Sequence, residues 1–212
     1  MIQRAADISH TELAHLVGGG SRTILEIGSN DGEDTAQLLK HFPAAAIFCF
    51  ECDPRAIAKF KARGDCAGAL LAEIALDNSA GKKQFHQSTS ATQWDKSGSL
   101  CRPTGHVQRS PEITFDAIIE VQTERLDDWA DQMLPSGVID LIWIDVQGAE
   151  KRVFDGGKRT LARTRFVKTE CHREQLYEGQ WTEAELLAFF AGWNPIGRFG
   201  DDVVLHNPNA KA

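Results

Sequence analysis

In this chain acids repeatedly close short apolar runs, a spacing that brings carboxylates to one edge of a buried sheet. Residues 24–32 read I-L-E-I-G-S-N-D-G. Glu26 sits inside the apolar run, and Gly28, Asn30 and Gly32 recur at every second position after it. A second run, Ala46 to Phe50, ends in Glu51. A buried strand, a glycine-bearing turn into a helix and a second strand with a terminal acid form the nucleotide-binding half of a Rossmann-like sheet. The glycines let backbone amides approach a ligand, and the acid accepts hydrogen bonds from both ribose hydroxyls. These residues predict an adenosine-containing cofactor.

Two later runs end the same way. Residues 140–145 read D-L-I-W-I-D and lead into V-Q-G-A-E, and residues 165–173 read R-F-V-K-T-E-C-H-R. An acid where a buried strand opens to solvent suits a general base or a metal ligand. If these two strands are neighbours, Asp145, Glu170 and His172 converge. They then form either a divalent-cation site such as one for Mg2+, with Asp145 and Glu170 as ligands, or a base with its orienting carboxylate. The plainer roles are helix capping for Asp145 and a structural or surface position for His172. Glu150 falls in the first turn of the next helix, where the helix dipole alone favours an acid.

The glycine loop also discriminates between cofactors. A hydride-transfer enzyme usually carries a third glycine where this chain has Glu33, and a carboxylate there repels a pyrophosphate. S-adenosylmethionine has no phosphate, and its sulfonium favours nearby acids. On this reading Gly28, Ser29, Asn30 and Gly32 form the cofactor loop, and Glu26 or Asp31 meets the amino group. Glu51 takes the ribose, Cys52 and Asp53 lie near the adenine edge, and Ile74 and Ala75 line the adenine face. Asp145 borders the same site. Capping of the helix at Pro54 is the plainer role for Asp53.

The elements that position these residues alternate. A helix over Ser9–Val17, ended by Gly18 to Gly20, precedes a strand over Thr23–Ile27. Then come a helix from Asp34 to His41, a strand over Ala46–Phe50, a helix from Pro54 to about Arg63 and a strand over Ala69–Ile74. Asp77 to Lys82 reads as a polar turn. Strands over Lys83–His86 and Ile113–Gln122 flank a Ser-, Thr- and Gly-rich stretch, residues 87–112, which reads as an inserted loop or lid. Trp94, Arg102 and His106 are its candidate acceptor contacts, with a mobile surface loop as the plainer reading. A helix over Leu126–Leu134, a strand over Asp140–Asp145, a helix over Gln147–Gly156 and a strand over Arg165–Glu170 follow. Thr182 and Glu185 form a capping box for a helix to about Ala191. Pro195–Phe199 and Val203–His206 close the chain as an antiparallel pair, and Asn207–Ala212 reads as a frayed tail. The order predicts one α/β domain with a doubly wound, mostly parallel sheet and a C-terminal antiparallel hairpin. Its ligands belong outside the carboxyl ends of the strands.

Composition limits the partners. The 212 residues suit one domain, and 42% hydrophobic content is ordinary for a packed core. A net charge of -7 argues against nonspecific binding to nucleic acid or anionic membranes. No apolar run reaches the length of a membrane span, and the polar N-terminus is not a secretory signal. Five cysteines, an odd number, fit a reducing cytoplasm better than a disulfide framework. The expected partner is a small molecule, and a homo-oligomer is compatible with the sequence.

The segments I-L-E-I-G-S-N-D-G-E-D-T (24–35), F-E-C-D-P (50–54), E-I-A-L-D-N-S-A-G (73–81), E-R-L-D-D-W (124–129) and I-D-L-I-W-I-D-V-Q-G-A-E-K-R-V-F-D-G-G (139–157) resemble the FkbM-type S-adenosylmethionine-dependent methyltransferases. The resemblance covers about residues 22–206. It implies a class I methyltransferase fold and methyl transfer to hydroxyl oxygens, often on sugars or other natural products. It places Gly28, Asn30, Gly32 and Glu51 at cofactor-loop positions, and Asp145, Gly148 and Glu150 in the motif after the fourth strand. The chain departs from the family pattern at Trp143, usually Lys, and at Gln147, usually Glu, losing a charge at each. Two rivals remain: a nucleotide-dependent oxidoreductase, which Glu33 and the single-domain length disfavour, and a noncatalytic binding module, favoured only by those departures.

Overall fold

The computed structural model describes residues 2–4, 6–134 and 136–211. Met1, Ala5, Pro135 and Ala212 lie outside it, and with them parts of the polar N-terminus and of the C-terminal tail.

The first half follows the expected alternation. A short strand β1 (Ile2–Arg4) precedes α1 (His10–Val17). Ser9 caps α1, and Glu12 closes a capping box with it. Then come β2 (Thr23–Ile27), α2 (Glu33–His41), β3 (Ala46–Phe50) and α3 (Pro54–Ala62). The α3 helix starts on Pro54 because that residue's missing N–H costs nothing in the first turn, and Asp53 caps it.

The predicted third strand, Ala69–Ile74, stops at Ala72, and Ala75–Asp77, beyond it and reaching the predicted polar turn, forms a strand of its own. Leu70–Ala72 (β4) pairs with β3 in the main sheet, and Ala75–Asp77 (β5) leaves it for a second sheet. There β6 (Gly81–Thr89) forms a long hairpin with β7 (Thr114–Arg125), which also takes β5 in parallel. Both hairpin strands run longer than the sequence pattern indicates. Between them lies only the one-turn α4 (His106–Arg109).

The second half is α5 (Leu126–Met133), β8 (Ile139–Ile144), α6 (Glu150–Asp155), α7 (Lys158–Ala162), β9 (Thr164–Glu170), α8 (Glu183–Phe189), β10 (Asn194–Phe199) and β11 (Asp202–His206). Helix α6 begins three positions later than predicted, because Gln147 and Gly148 both adopt left-handed backbone, at φ 53° and 92°. The tail does not fray at once. Asn207 is buried, donates from its backbone to Arg165 O and from its side chain to Leu161 O.

The main sheet has the order β1-β10-β11-β9-β8-β2-β3-β4. Strands β4, β3, β2, β8 and β9 are parallel, and β11 runs antiparallel between β9 and β10. Every residue of β8 is buried, as a central strand covered on both faces requires. Neighbours along each strand serve opposite faces. Leu25 and Ile142 pack toward α5 and α6, whereas Ile24 and Leu141 pack toward α1 and α2. This doubly wound sheet brings the carboxyl ends of β2, β3 and β8 to one edge, and β9 ends beside β8.

Candidate active site

A cleft opens at that edge. It takes in about 870 Å³ of space, open solvent at the mouth included. Gly28, Ser29, Asn30 and Asp31 line it from the loop after β2, and Glu51, Cys52 and Asp53 from the end of β3. Ile74, Ala75 and Leu76 supply an apolar wall with Phe85 and Leu100, and Asp145 to Gln147 close the far side.

The β2 loop is built to approach closely. Gly28 has φ 87°, and a Cβ there would lie 1.9 Å from the carbonyl oxygen of Asp145. Only glycine fits, and its amide donates to Phe50 O at 3.0 Å. Asn30, also left-handed at φ 44°, turns its amide onto Glu51 Oε2 at 2.8 Å. The amides of Cys52 and Asp53 each donate to Glu51 Oε1 at 2.7 Å. Burial raises the pKa of Glu51, and these backbone amides oppose the shift. The carboxylate is therefore fixed in place at the cleft wall.

Glu26 does not line the cleft. It is buried beneath the loop, takes hydrogen bonds from Thr35 Oγ1 at 2.5 Å and Cys49 Sγ at 3.3 Å, and burial pushes its pKa up to about 8. Of the two acids expected near an amino group, only Asp31 faces the cavity. Asp53 lines the cleft and caps α3, and it also binds Arg55 and the Gln87 amide. Asn30 Oδ1 is buried with no hydrogen-bond partner among the described residues, an acceptor that a donor on a bound molecule would satisfy. The donor set and the apolar wall fit the adenosine and amino-acid parts of S-adenosylmethionine.

The structure brings Asp145, Glu170 and His172 together, but through a residue the sequence treats only as a family departure. Gln147 Nε2 donates to Asp145 Oδ1 at 2.7 Å and to Glu170 Oε2 at 3.0 Å. His172 lies 3.1 Å from Glu170 and 3.0 Å from Asp201. Burial disfavours the charged imidazole, but those two carboxylates outweigh it and raise its pKa to about 9. His172 is thus a cation at neutral pH. Burial and then the Glu170 charge raise the Asp145 pKa well above the ordinary carboxylate range, while the Gln147 amide opposes them. Glu150, pushed up to about 7 by burial, caps the turn by accepting from the amides of Val146 and Gly148.

The expected divalent cation does not fit this arrangement. The Gln147 amide nitrogen, a donor, occupies the place between the two carboxylates. Among the described residues no group of three or more His, Cys, Asp or Glu side chains has metal-binding geometry.

The stretch 87–112 packs against the loops at the cleft. Asp95 O accepts from Asn30 Nδ2, Lys96 bonds Glu33 at the mouth, and Ser99 donates to Gln147 O. Of its expected contacts, Trp94 is exposed and turns its indole N–H onto Ser97. His106 is buried against Phe115 and Tyr177. Lys96, Phe85, Leu100 and Tyr177 carry no local pattern that marks them, since only folding brings them to the strand ends. Trp143 lies on the α1 face, stacked on His10 and under the Lys168 ammonium at 3.9 Å, so a cation from β9 stands beside the position that has lost one.

Comparison with known proteins agrees with this geometry. The Methyltransferase FkbM domain model matches residues 26–196. The 2-O-methyltransferase NoeI of Sinorhizobium fredii (strain NBRC 101917 / NGR234) is 40% identical over 207 residues, covering 93% of this chain and 84% of NoeI. Among solved structures, the Bacillus cereus O-methyltransferase in complex with SAH superposes with a TM-score of 0.51 at 13% identity, covering 95% of this chain and 82% of that one. A proposed O-methyltransferase from Klebsiella pneumoniae gives 0.53 at 15% identity, over 98% and 84%. These two likenesses show the class I methyltransferase fold. The domain match over most of the chain and the likeness to NoeI show that this protein belongs to the FkbM family of S-adenosylmethionine-dependent methyltransferases.

Proposed function

We propose that the chain transfers a methyl group from S-adenosylmethionine to a hydroxyl oxygen of a small polar acceptor, with sugars and glycans as the leading class. The observation that carries this reading is the pairing of two unlike acids across one cleft, Glu51 on backbone amides and Asp145 on a side-chain network. The likeness to a 2-O-methyltransferase supports an oxygen acceptor.

S-adenosylmethionine, when bound, supplies an electrophilic methyl on a positive sulfur. Glu51 would take the ribose hydroxyls, the wall from Ile74 to Leu76 the adenine, and Asn30 and Asp31 the ammonium. The protein must then align an acceptor oxygen and accept its proton. Asp145 is the base, because it lines the cleft where the acceptor must lie and is held there by the Gln147 amide. His172, already protonated, orients Glu170 instead. The segment 87–112 covers the site and contributes to the choice of acceptor.

The test is incubation with S-adenosylmethionine and a panel of glycans and small hydroxyl compounds, read by mass spectrometry. The expected product is a methyl ether, lost in Asp145→Asn. Methylation of nitrogen alone, or no transfer to any acceptor by protein that binds the methyl donor, would overturn the acceptor class.

A further inference from the structure

Gln147 has more fixed partners than a surface loop residue needs. Its Nε2 bridges Asp145 and Glu170, and its Oε1 lies 2.9 Å from the Tyr177 hydroxyl. The hydroxyl also lies 2.9 Å from Ser97 O, so its single proton serves one acceptor at a time. The carboxamide orientation follows from this network, since the reverse would aim oxygen at two carboxylates. Its backbone is equally constrained. Gln147 O accepts from Ser99 Oγ, and Gly148 leaves no room for a side chain because a Cβ would lie 2.7 Å from that of Tyr177.

Two carboxylates this close need something positive or a donor between them. A divalent cation is one solution, and it would then take part in activating the acceptor. A neutral amide with two N–H groups is another. It gives each acid one donor, fixes both rotamers and adds no charge. We propose that the Gln147 carboxamide stands in for a cation between Asp145 and Glu170, and is the positioning residue that lets Asp145 act as a base without a metal. This rests on the O-methyl transfer reading above. In that step the acceptor oxygen's lone pair forms the new O–CH3 bond and the S–CH3 bonding pair returns to sulfur, leaving a neutral thioether. The hydroxyl proton passes to the Asp145 carboxylate, so no oxidant, reductant or metal is required.

The first test needs no acceptor. Mn2+ is titrated by electron paramagnetic resonance into protein saturated with S-adenosylhomocysteine, as wild type and as Gln147→Glu. Wild type is expected to bind no Mn2+ in the cleft, and Gln147→Glu to gain a site that Asp145→Asn removes. Wild-type binding that depends on Asp145 would overturn the proposal. So would a folded Gln147→Glu protein that binds no more Mn2+ than wild type. Thermal unfolding and S-adenosylhomocysteine affinity establish that each variant is folded and loaded.

The second test uses an acceptor found in the panel. Gln147→Ala is expected to lower kcat about tenfold or more, short of the roughly hundredfold or greater loss expected if the base itself were removed, with KM for the methyl donor within about twofold. Wild-type transfer should be indifferent to EDTA. Loss of transfer on chelation, restored by Mg2+, would overturn the inference while leaving O-methyl transfer intact. Failure to bind S-adenosylhomocysteine at all would overturn the functional reading itself.

Discussion

Two acids face each other across the cleft, and they are held by different means. Glu51 rests on the amides of Asn30, Cys52 and Asp53, all from the loops that follow β2 and β3. Asp145 rests on Gln147, which leans on Glu170 and Tyr177, while Glu170 leans on His172 and Asp201. The first arrangement depends on backbone conformation. The second depends on side chains drawn from distant segments. Backbone amides persist through most substitutions, so the cofactor side is robust. The acceptor side can be retuned one residue at a time.

The largest effect is expected at Gly28. Alanine there meets the Asp145 carbonyl in left-handed backbone, which links the two sides of the cleft. Gly28→Ala is expected to cost about 4 kcal/mol or more of stability, measured by denaturant unfolding. A loss below about 1 kcal/mol would show that the loop has slack.

Glu51→Ala comes next. It removes the acceptor for two ribose hydroxyls, and hydrogen bonds to a charged group are each worth about 1.5–3 kcal/mol. The affinity for S-adenosylhomocysteine should fall by about two to four orders of magnitude in calorimetry, and stability should fall as well, because the amides of Asn30, Cys52 and Asp53 lose their acceptor.

The third prediction concerns pH on the acceptor side. The folded pKa of His172 is raised from 6.5 to about 9 by Glu170 and Asp201. A raised pKa means that the folded state holds the proton more tightly. The stability this contributes is full below about pH 6.5 and disappears as pH rises through about 9. The shift bounds the effect at about 3 kcal/mol. Unfolding of wild type and His172→Gln across that range should show an advantage for wild type that vanishes in base. A constant difference would contradict the ion pairing.

The smallest effect is expected from Tyr177→Phe, which removes one hydrogen bond to Gln147 and leaves the ring packed. About 1 kcal/mol of stability should be lost. Transfer should weaken, with unchanged affinity for S-adenosylhomocysteine.

The same contrast explains what the sequence discloses. Gly28, Asn30 and Glu51 are legible as cleft residues because strand, turn and acid lie within one short segment whose hydrophobic pattern fixes its register, whereas Gly32, which reads the same way, packs against Phe60 and Cys66 and does not line the cleft. The division of residues 69–77 between two sheets is not legible. A-L-L-A-E-I-A-L is apolar nearly throughout, and its periodicity gives no sign of the turn after Ala72. Glu26 looks like a ligand contact by position, but the pleat points it beneath the loop. Gln147 reads as the first residue of a helix, and only its left-handed backbone reveals a separate turn. Tyr177 and Ser97 reach Gln147 from segments with no sequence signal linking them to it.

The most direct test of the account is calorimetry of S-adenosylhomocysteine and, separately, NAD against wild type and Glu51→Ala. Wild type is expected to bind S-adenosylhomocysteine with micromolar affinity, to lose most of that affinity in Glu51→Ala, and to bind no NAD. Binding of NAD in place of S-adenosylhomocysteine, or an affinity indifferent to Glu51, would contradict the account.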